Sequence, residues 1–188
     1  MKKIILTITA LIALVISTNA QSTWKVDKSH SSINFSVSHF MISEVTGNFG
    51  NFDITASAND KFENPTFNVT INASTINTNQ KSRDNHLRSP DFFNVKKHQN
   101  ITFKSSSYKQ LENGKFETIG KITINGVTKE TIFTGKLNGV IKDNRSGKYK
   151  AGLKLKTTIK RKNFNLGKGM SSIGKDVEVI INIEMNQQ

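Results

Sequence analysis

Residues Arg83–Ser105 read RDNHLRSPDFFNVKKHQNITFKS. Arg83, Asp84, His86 and Arg88 crowd into its start, which is too charged for a buried strand. From Asn79 to Leu87 there is no β-branched residue. Helical spacing puts Arg83, His86 and Leu87 on one side, and Ser89-Pro90 disfavours continuation of a helix. The double aromatic Phe92-Phe93 follows as an anchor, and Ile101 and Phe103 then restore a strand-like alternation. The stretch predicts a short polar helical insert feeding into a β-strand.

Outward from it, the chain alternates apolar and polar residues nearly everywhere. Upstream, Ile33, Phe35 and Val37 share one face, as do Phe52, Ile54 and Ala56, and then Phe67, Val69 and Ile71. Downstream come Phe116, Gly120, Ile122 and Ile124, then Phe133, Gly135 and Leu137. Ala151, Leu153, Leu155 and Ile159 follow, and last Val177, Val179, Ile181, Ile183 and Met185. This makes about eight strands, each with one wet and one dry face. Asn125-Gly126 is a hairpin signal, because both residues tolerate a positive φ. Asn113-Gly114, Asn138-Gly139, Ser146-Gly147 and Asn64-Pro65 are read as further turns. Such strands must close or stack to bury their apolar faces. The pattern itself leaves open a barrel or a sandwich.

Lys2 and Lys3, the apolar run Ile4–Ser17 and the small residues Thr18 and Ala20 form an export signal cut near Ala20. Residues 21–188 then form one domain, located in the periplasm or outside the cell. With no cysteine, that exported domain rests on its core alone. The formal charge is +13, and loss of the leader removes two lysines and no acid. Such a balance favours acidic partners. Lys148, Lys150, Lys154 and Lys156 alternate with apolar residues and lead into Lys160-Arg161-Lys162, so they share an outer face. Edge protection explains such a strip, and peripheral contact with an anionic membrane is the second reading. Nucleic acid is not an expected partner, because no exposed aromatics interleave with the lysines.

Motifs for catalysis are missing. There is no HExxH or GxSxG, and Gly167-Lys168-Gly169 lacks phosphate-loop spacing. Neither a metal nor a cofactor is expected. The 12 Phe against one Trp and two Tyr suit a wall without polar handles. Taken alone, that composition favours a filled core over a pocket. Gly120 and Gly135 fit a tunnel, a bulge or a barrel corner alike.

The insert does not stand alone. Trp24, Asp27, His30-Ser31, Phe35 and His39 precede it, and Gly120–Lys129 (GKITINGVTK) and Arg161–Phe164 (RKNF) follow. This set, with the RDxHLRSxDFF block, resembles the signature of the YceI-like family of secreted lipid-binding proteins across residues 22–185. His98 and Gln99 stand where the family pattern commonly has Tyr and Pro. The resemblance implies an all-β fold, an extended antiparallel lipocalin-like barrel holding a polyisoprenoid chain. Its tunnel would be lined by Phe35, Val37, Phe52, Phe67, Val69, Ile71, Phe92 and Phe93. Phe103, Ile122, Ile124, Phe133, Leu153 and Leu155 would complete the wall. The residues themselves offer His39, Arg83, His86 and Arg88 as head-group contacts, with a structural role in the insert an equal reading for Arg83, His86 and Arg88, while Asp84 would tie the insert to the wall.

The expectation is therefore a non-enzymatic carrier or sequestering protein for a long-chain isoprenoid. The ligand would be a polyprenyl phosphate or diphosphate, an isoprenoid quinone, or a similar amphipathic lipid. Two alternatives are a lipid-modifying or isomerising enzyme on the same barrel, and a stress-related structural protein with a filled core. The sequence assigns no oligomeric state.

Overall fold

The structure is a computed structural model that describes residues 21–188. The export signal read over residues 1–20 lies outside the described residues. The strands are β1 (Ser22–Val26), β2 (Ser32–His39), β3 (Ser43–Phe49), β4 (Phe52–Ala58), β5 (Thr66–Asn72) and β6 (Ile76–Asn77). One helix, α1 (Lys81–Arg88), precedes β7 (Asn100–Gln110), β8 (Lys115–Ile124), β9 (Val127–Lys142), β10 (Tyr149–Lys160) and β11 (Ile173–Gln187).

All pairings are antiparallel. The ring runs β1-β4-β5-β7-β8-β9-β10-β11 and closes where β11 meets β1 again. It is an eight-stranded barrel. Three of its lines are broken. β1 continues as β2 after a 3₁₀ turn at Lys28–His30, and both lie along β11. β3 continues as β4 through Gly50-Asn51, and β5 continues as β6 through the 3₁₀ turn Ala73–Thr75. The last two breaks are pinned together: Gly50 N donates to Thr75 O, and Asn51 N donates to Thr75 Oγ1.

The turns follow local chemistry. Asn125 (φ 48) and Gly126 (φ 74) join β8 to β9 in the left-handed region, as their sequence predicts. Asn138-Gly139 is different, because it lies inside β9 and not at a turn. Gly152 pairs with Gly139 and Leu153 with Leu137, so Asn138 is the extra residue of a β-bulge. A bulge and a turn use the same residue types, and the long strands on either side decide which one forms. Ser106 makes a second bulge, beside Gly120. Neither inward glycine opens space. The Phe103 ring covers Gly120 and the Phe116 ring covers Gly135.

One end of the barrel is plugged. Trp24 is fully buried, meets Phe62 edge-on at 4.9 Å, and donates from Nε1 to Ala58 O at 3.3 Å. Phe62 holds a left-handed φ of 58° that burial of its ring offsets. Phe116, Ala151 and Met185 fill the same region. Along the inner face of β11, packing loosens away from this plug. Met185, Ile183 and Ile181 are buried, whereas Val179 and Val177 retain accessible surface.

Candidate functional site

That loosening opens into an apolar cavity of about 530 Å³. Its walls include Phe35, Val37, Phe67, Val69, Ile71, Phe103, Ile122, Ile124, Phe133 and Leu155. Phe92 and Phe93 also face it from the insert. Two residues expected in the wall do not line it. Phe52 and Leu153 are buried in packed core, 6% and 2% exposed. Leu153 pairs with Ile183 in the tightly packed part of the sheet. Phe52 sits just after the break at Gly50-Asn51.

The polar groups gather at the other end. Gln80, Ser82, Arg83 and His86 come from α1 and its N-cap, Ser38 and His39 from β2, and Ser172 from the segment before β11. The helix forms where alternation stops. The Gln80 side chain caps it by accepting from Arg83 N, and Ser89-Pro90 ends it. Arg83, His86 and Leu87 share the side turned to the cavity.

The insert has a structural reason to carry two arginines. Among the described residues β6 pairs with β3 only, which leaves its other edge without a strand there. Arg88 Nε donates to Ser74 O and Nη2 to Ile76 O, both at 2.7 Å. Arg83 Nη2 donates to Thr78 O, and its Nε to Thr78 Oγ1, both at 2.8 Å. Carbonyls two residues apart point the same way along a strand, and the guanidinium groups take the place of the missing neighbour. Asp84 completes the tie by accepting from Thr78 N at 2.9 Å and from Thr78 Oγ1 at 2.5 Å.

This corrects one head-group candidate. Arg88 does not line the cavity, and its donors are committed to the β6 edge and to Asn85 Oδ1. Arg83 lines it, and its Nη1 has no partner among the described residues. His86 also lines it and pairs with Asp91 at 3.1 Å through Nε2. Arg88→Ala should lower stability by about 1–3 kcal/mol, the cost of unpaired carbonyls. It should change affinity alike for ligands that differ only in head group. Urea denaturation together with paired ligand titrations checks this.

Arg161 is a second arginine whose place differs from the sequence reading. It belongs to no basic strip. It is 2% exposed and lines the cavity from the segment that follows β10. All five of its N–H groups are used. Nε donates to Gly174 O, Nη1 to Leu166 O and Gly167 O, and Nη2 to Met170 O and Ile173 O, at 2.7–2.8 Å. Burial pushes its pKa down from the ordinary arginine value. The remaining strip is partly neutralised, since Lys150 pairs with Glu184 at 3.0 Å and Lys160 with Asp176 at 3.2 Å.

Among the described residues no carboxylate lines the cavity. Arg83 and Arg161 are the arginines that line it. The Asp27, His30 and Glu184 side chains come within 4.8 Å of one another, but not at the cavity. They are satisfied from within. Asp27 takes His30 Nδ1 and Ser29 N, and Glu184 takes Lys150. The His30 hydrogen bond holds the Asp27 carboxyl below its ordinary pKa.

The comparisons with known proteins agree with this architecture. The family model described as the YceI-like domain matches residues 24–185. A UPF0312 protein of Pectobacterium atrosepticum is 38% identical over 190 residues, covering 98% of this chain and 97% of its own. The crystal structure of a Campylobacter jejuni YceI protein is 33% identical and has a TM-score of 0.73, over 87% of this chain and 96% of that one. A polyisoprenoid binding domain from Saccharophagus degradans is 14% identical with a TM-score of 0.68, over 88% and 98%. That last likeness is one of fold. Matched by the family model along nearly all its described length, and by relatives in sequence and in barrel alike, the chain belongs to the YceI-like family.

Proposed function

We propose that this protein binds a long-chain isoprenoid lipid, without chemistry and without a cofactor, and carries or sequesters it outside the cytoplasm. The observation that carries the reading is the one-ended apolar cavity of about 530 Å³, plugged around Trp24 and polar at its mouth. That size lies in the range of ligand sites that bury most of a small molecule. Each CH₂ moved from water into such a wall offers ~0.8 kcal/mol before entropy costs, so a few five-carbon units give useful affinity. The Saccharophagus degradans domain, called polyisoprenoid binding, has the same fold and supports the same class of ligand.

The mouth favours a head group rich in acceptors. Arg83 offers an Nη1 with no partner among the described residues, and His86, His39 and Arg161 line the same cavity. A polyprenyl phosphate or diphosphate fits best, and a quinone carbonyl fits next.

Native mass spectrometry of protein purified without detergent, followed by organic extraction, is the direct test. The expected result is a prenyl lipid released in near-stoichiometric amount. A protein that emerges empty and fails to take up polyprenyl phosphate from a donor would overturn the reading. Arg83→Ala should then weaken a phosphate-headed prenyl chain by about one to two decades and a bare prenyl hydrocarbon little. Equal losses would make Arg83 a tie only.

A further inference from the structure

At the mouth of the barrel, the turn between β2 and β3 presents Phe40, Met41 and Ile42 to solvent, 62%, 91% and 88% exposed. Half of the six large exposed apolar residues among those described sit in this one turn. The backbone makes the choice of residues stranger. Phe40 has a φ of 50° and Met41 of 59°, in the left-handed region that bulky side chains avoid. Elsewhere the chain solves this problem with Asn, at Asn64, Asn79, Asn94, Asn113, Asn125 and Asn165. The other apolar exception is Phe62, and its ring is buried in the plug. Phe40 and Met41 have the same strain and no such cover.

The turn is fixed to the mouth. Phe40 N donates to Ser172 O at 2.7 Å, and the Phe40 ring meets His39 at 4.5 Å. Both Ser172 and His39 line the cavity. Exposed lysines stand at the same end: Lys81 opening α1, Lys162 and Lys168 in the segment held by Arg161, and Lys175 beside Gly174. Its acids include Glu44, beside the turn, Asp91, which is bound to His86, and Asp176, which is paired with Lys160. An apolar tip with exposed lysines at the same end of the barrel suits the boundary between anionic head groups and acyl chains.

We propose that Phe40-Met41-Ile42 is a docking tip that inserts into an anionic lipid bilayer and seats the open mouth of the barrel against it. The tip serves the lipid-binding reading given above, but the two stand or fall separately.

Two variants test it. In the first, Phe40→Asn, Met41→Asn and Ile42→Ser place residues that suit the turn, so the fold should melt at or above the parent temperature. In the second, Met41→Trp puts a fluorescent reporter at the tip, far from the buried Trp24. Flotation with phosphatidylglycerol/phosphatidylcholine vesicles should show the parent protein partitioning to the membrane, and the triple variant about tenfold less or weaker still. Emission of the Met41→Trp variant should shift blue on adding vesicles and be quenched by brominated acyl chains. Parent protein that ignores the vesicles, a triple variant that binds as well as the parent, or reporter emission unmoved by vesicles would each overturn the proposal. So would a parent dimer that the triple substitution dissolves while vesicle binding is absent. The native mass of lipid-loaded protein separates this idea from the cavity reading. A tip that docks on a protein that neither carries nor takes up prenyl lipid keeps the docking role and sinks the carrier, and a loaded protein that never docks does the reverse.

Discussion

Arg161→Met should lower the free energy of unfolding by about 3–5 kcal/mol, a large share of what a domain of this size holds. The cause is the carbonyl count. Five backbone oxygens, from Leu166, Gly167, Met170, Ile173 and Gly174, converge on one guanidinium. The gross gain is greater than this figure, but desolvation of the cation offsets part of it. Methionine fills the volume and satisfies none of the five. Arg161→Lys should fall between, because an ammonium has three donors on a flexible stem and no planar fork. Loss should first appear as early hydrogen exchange at Leu166, Gly167 and Met170. Urea denaturation of the three proteins reads the order directly. A Met variant within about 1 kcal/mol of the parent would mean that water satisfies these carbonyls as well as Arg161 does.

Val179→Trp should abolish lipid retention, by tenfold or more, while leaving the melt close to that of the parent. Val179 lies on the inner face of β11, opposite Phe35 on β2 and Thr157 on β10, and lines the cavity. It keeps accessible surface although it points inward, so it faces space and not a neighbour. A larger side chain there fills a void and does not overpack a core. The comparison with Phe133→Asp is instructive. That change also removes binding, but the unpaired buried carboxylate destabilises the barrel as well. The filling variant isolates occupancy from folding. A folded Val179→Trp protein that still co-purifies with a full load of lipid would place the ligand elsewhere.

Much of the barrel was legible in the alternation, because a strand with one wet face repeats every two residues. The helix was legible for the opposite reason, since the alternation breaks at Asn79 and a proline follows at Pro90. Three short strands were not. β1 carries Trp24 as its one fully buried residue, β6 is two residues long, and β3 mixes Val45 and Phe49 with Glu44, Thr46 and Gly47. In β3 the Phe35 ring lies over Gly47, so the inward position is filled from the next strand. Arg161 shows how a usable signal was overruled. It continues the inward parity of Leu155, Thr157 and Ile159, but its charge sent it to the surface. Its partners are carbonyls, which leave no trace in a sequence. Arg88 was misplaced for the same reason, its partners being the edge carbonyls of β6. Gln80, Ser82 and Ser172 reach the mouth only through tertiary placement.

The closing strand carries a consequence for assembly. β11 is the last strand, yet it is the seam for β10, β2 and β1 together. Glu184 N donates to Ser31 Oγ across 153 residues of chain, and Gln188 N to Thr23 O. Until that strand arrives, β10 and β2 face water along their length. Closure then has to recover the entropy of a loop nearly as long as the domain, which puts this topology among the slow folders. The cavity is enclosed only where β11 pairs with β10, β2 and β1. Without that strand, the wall of the cavity has a gap between β10 and β2.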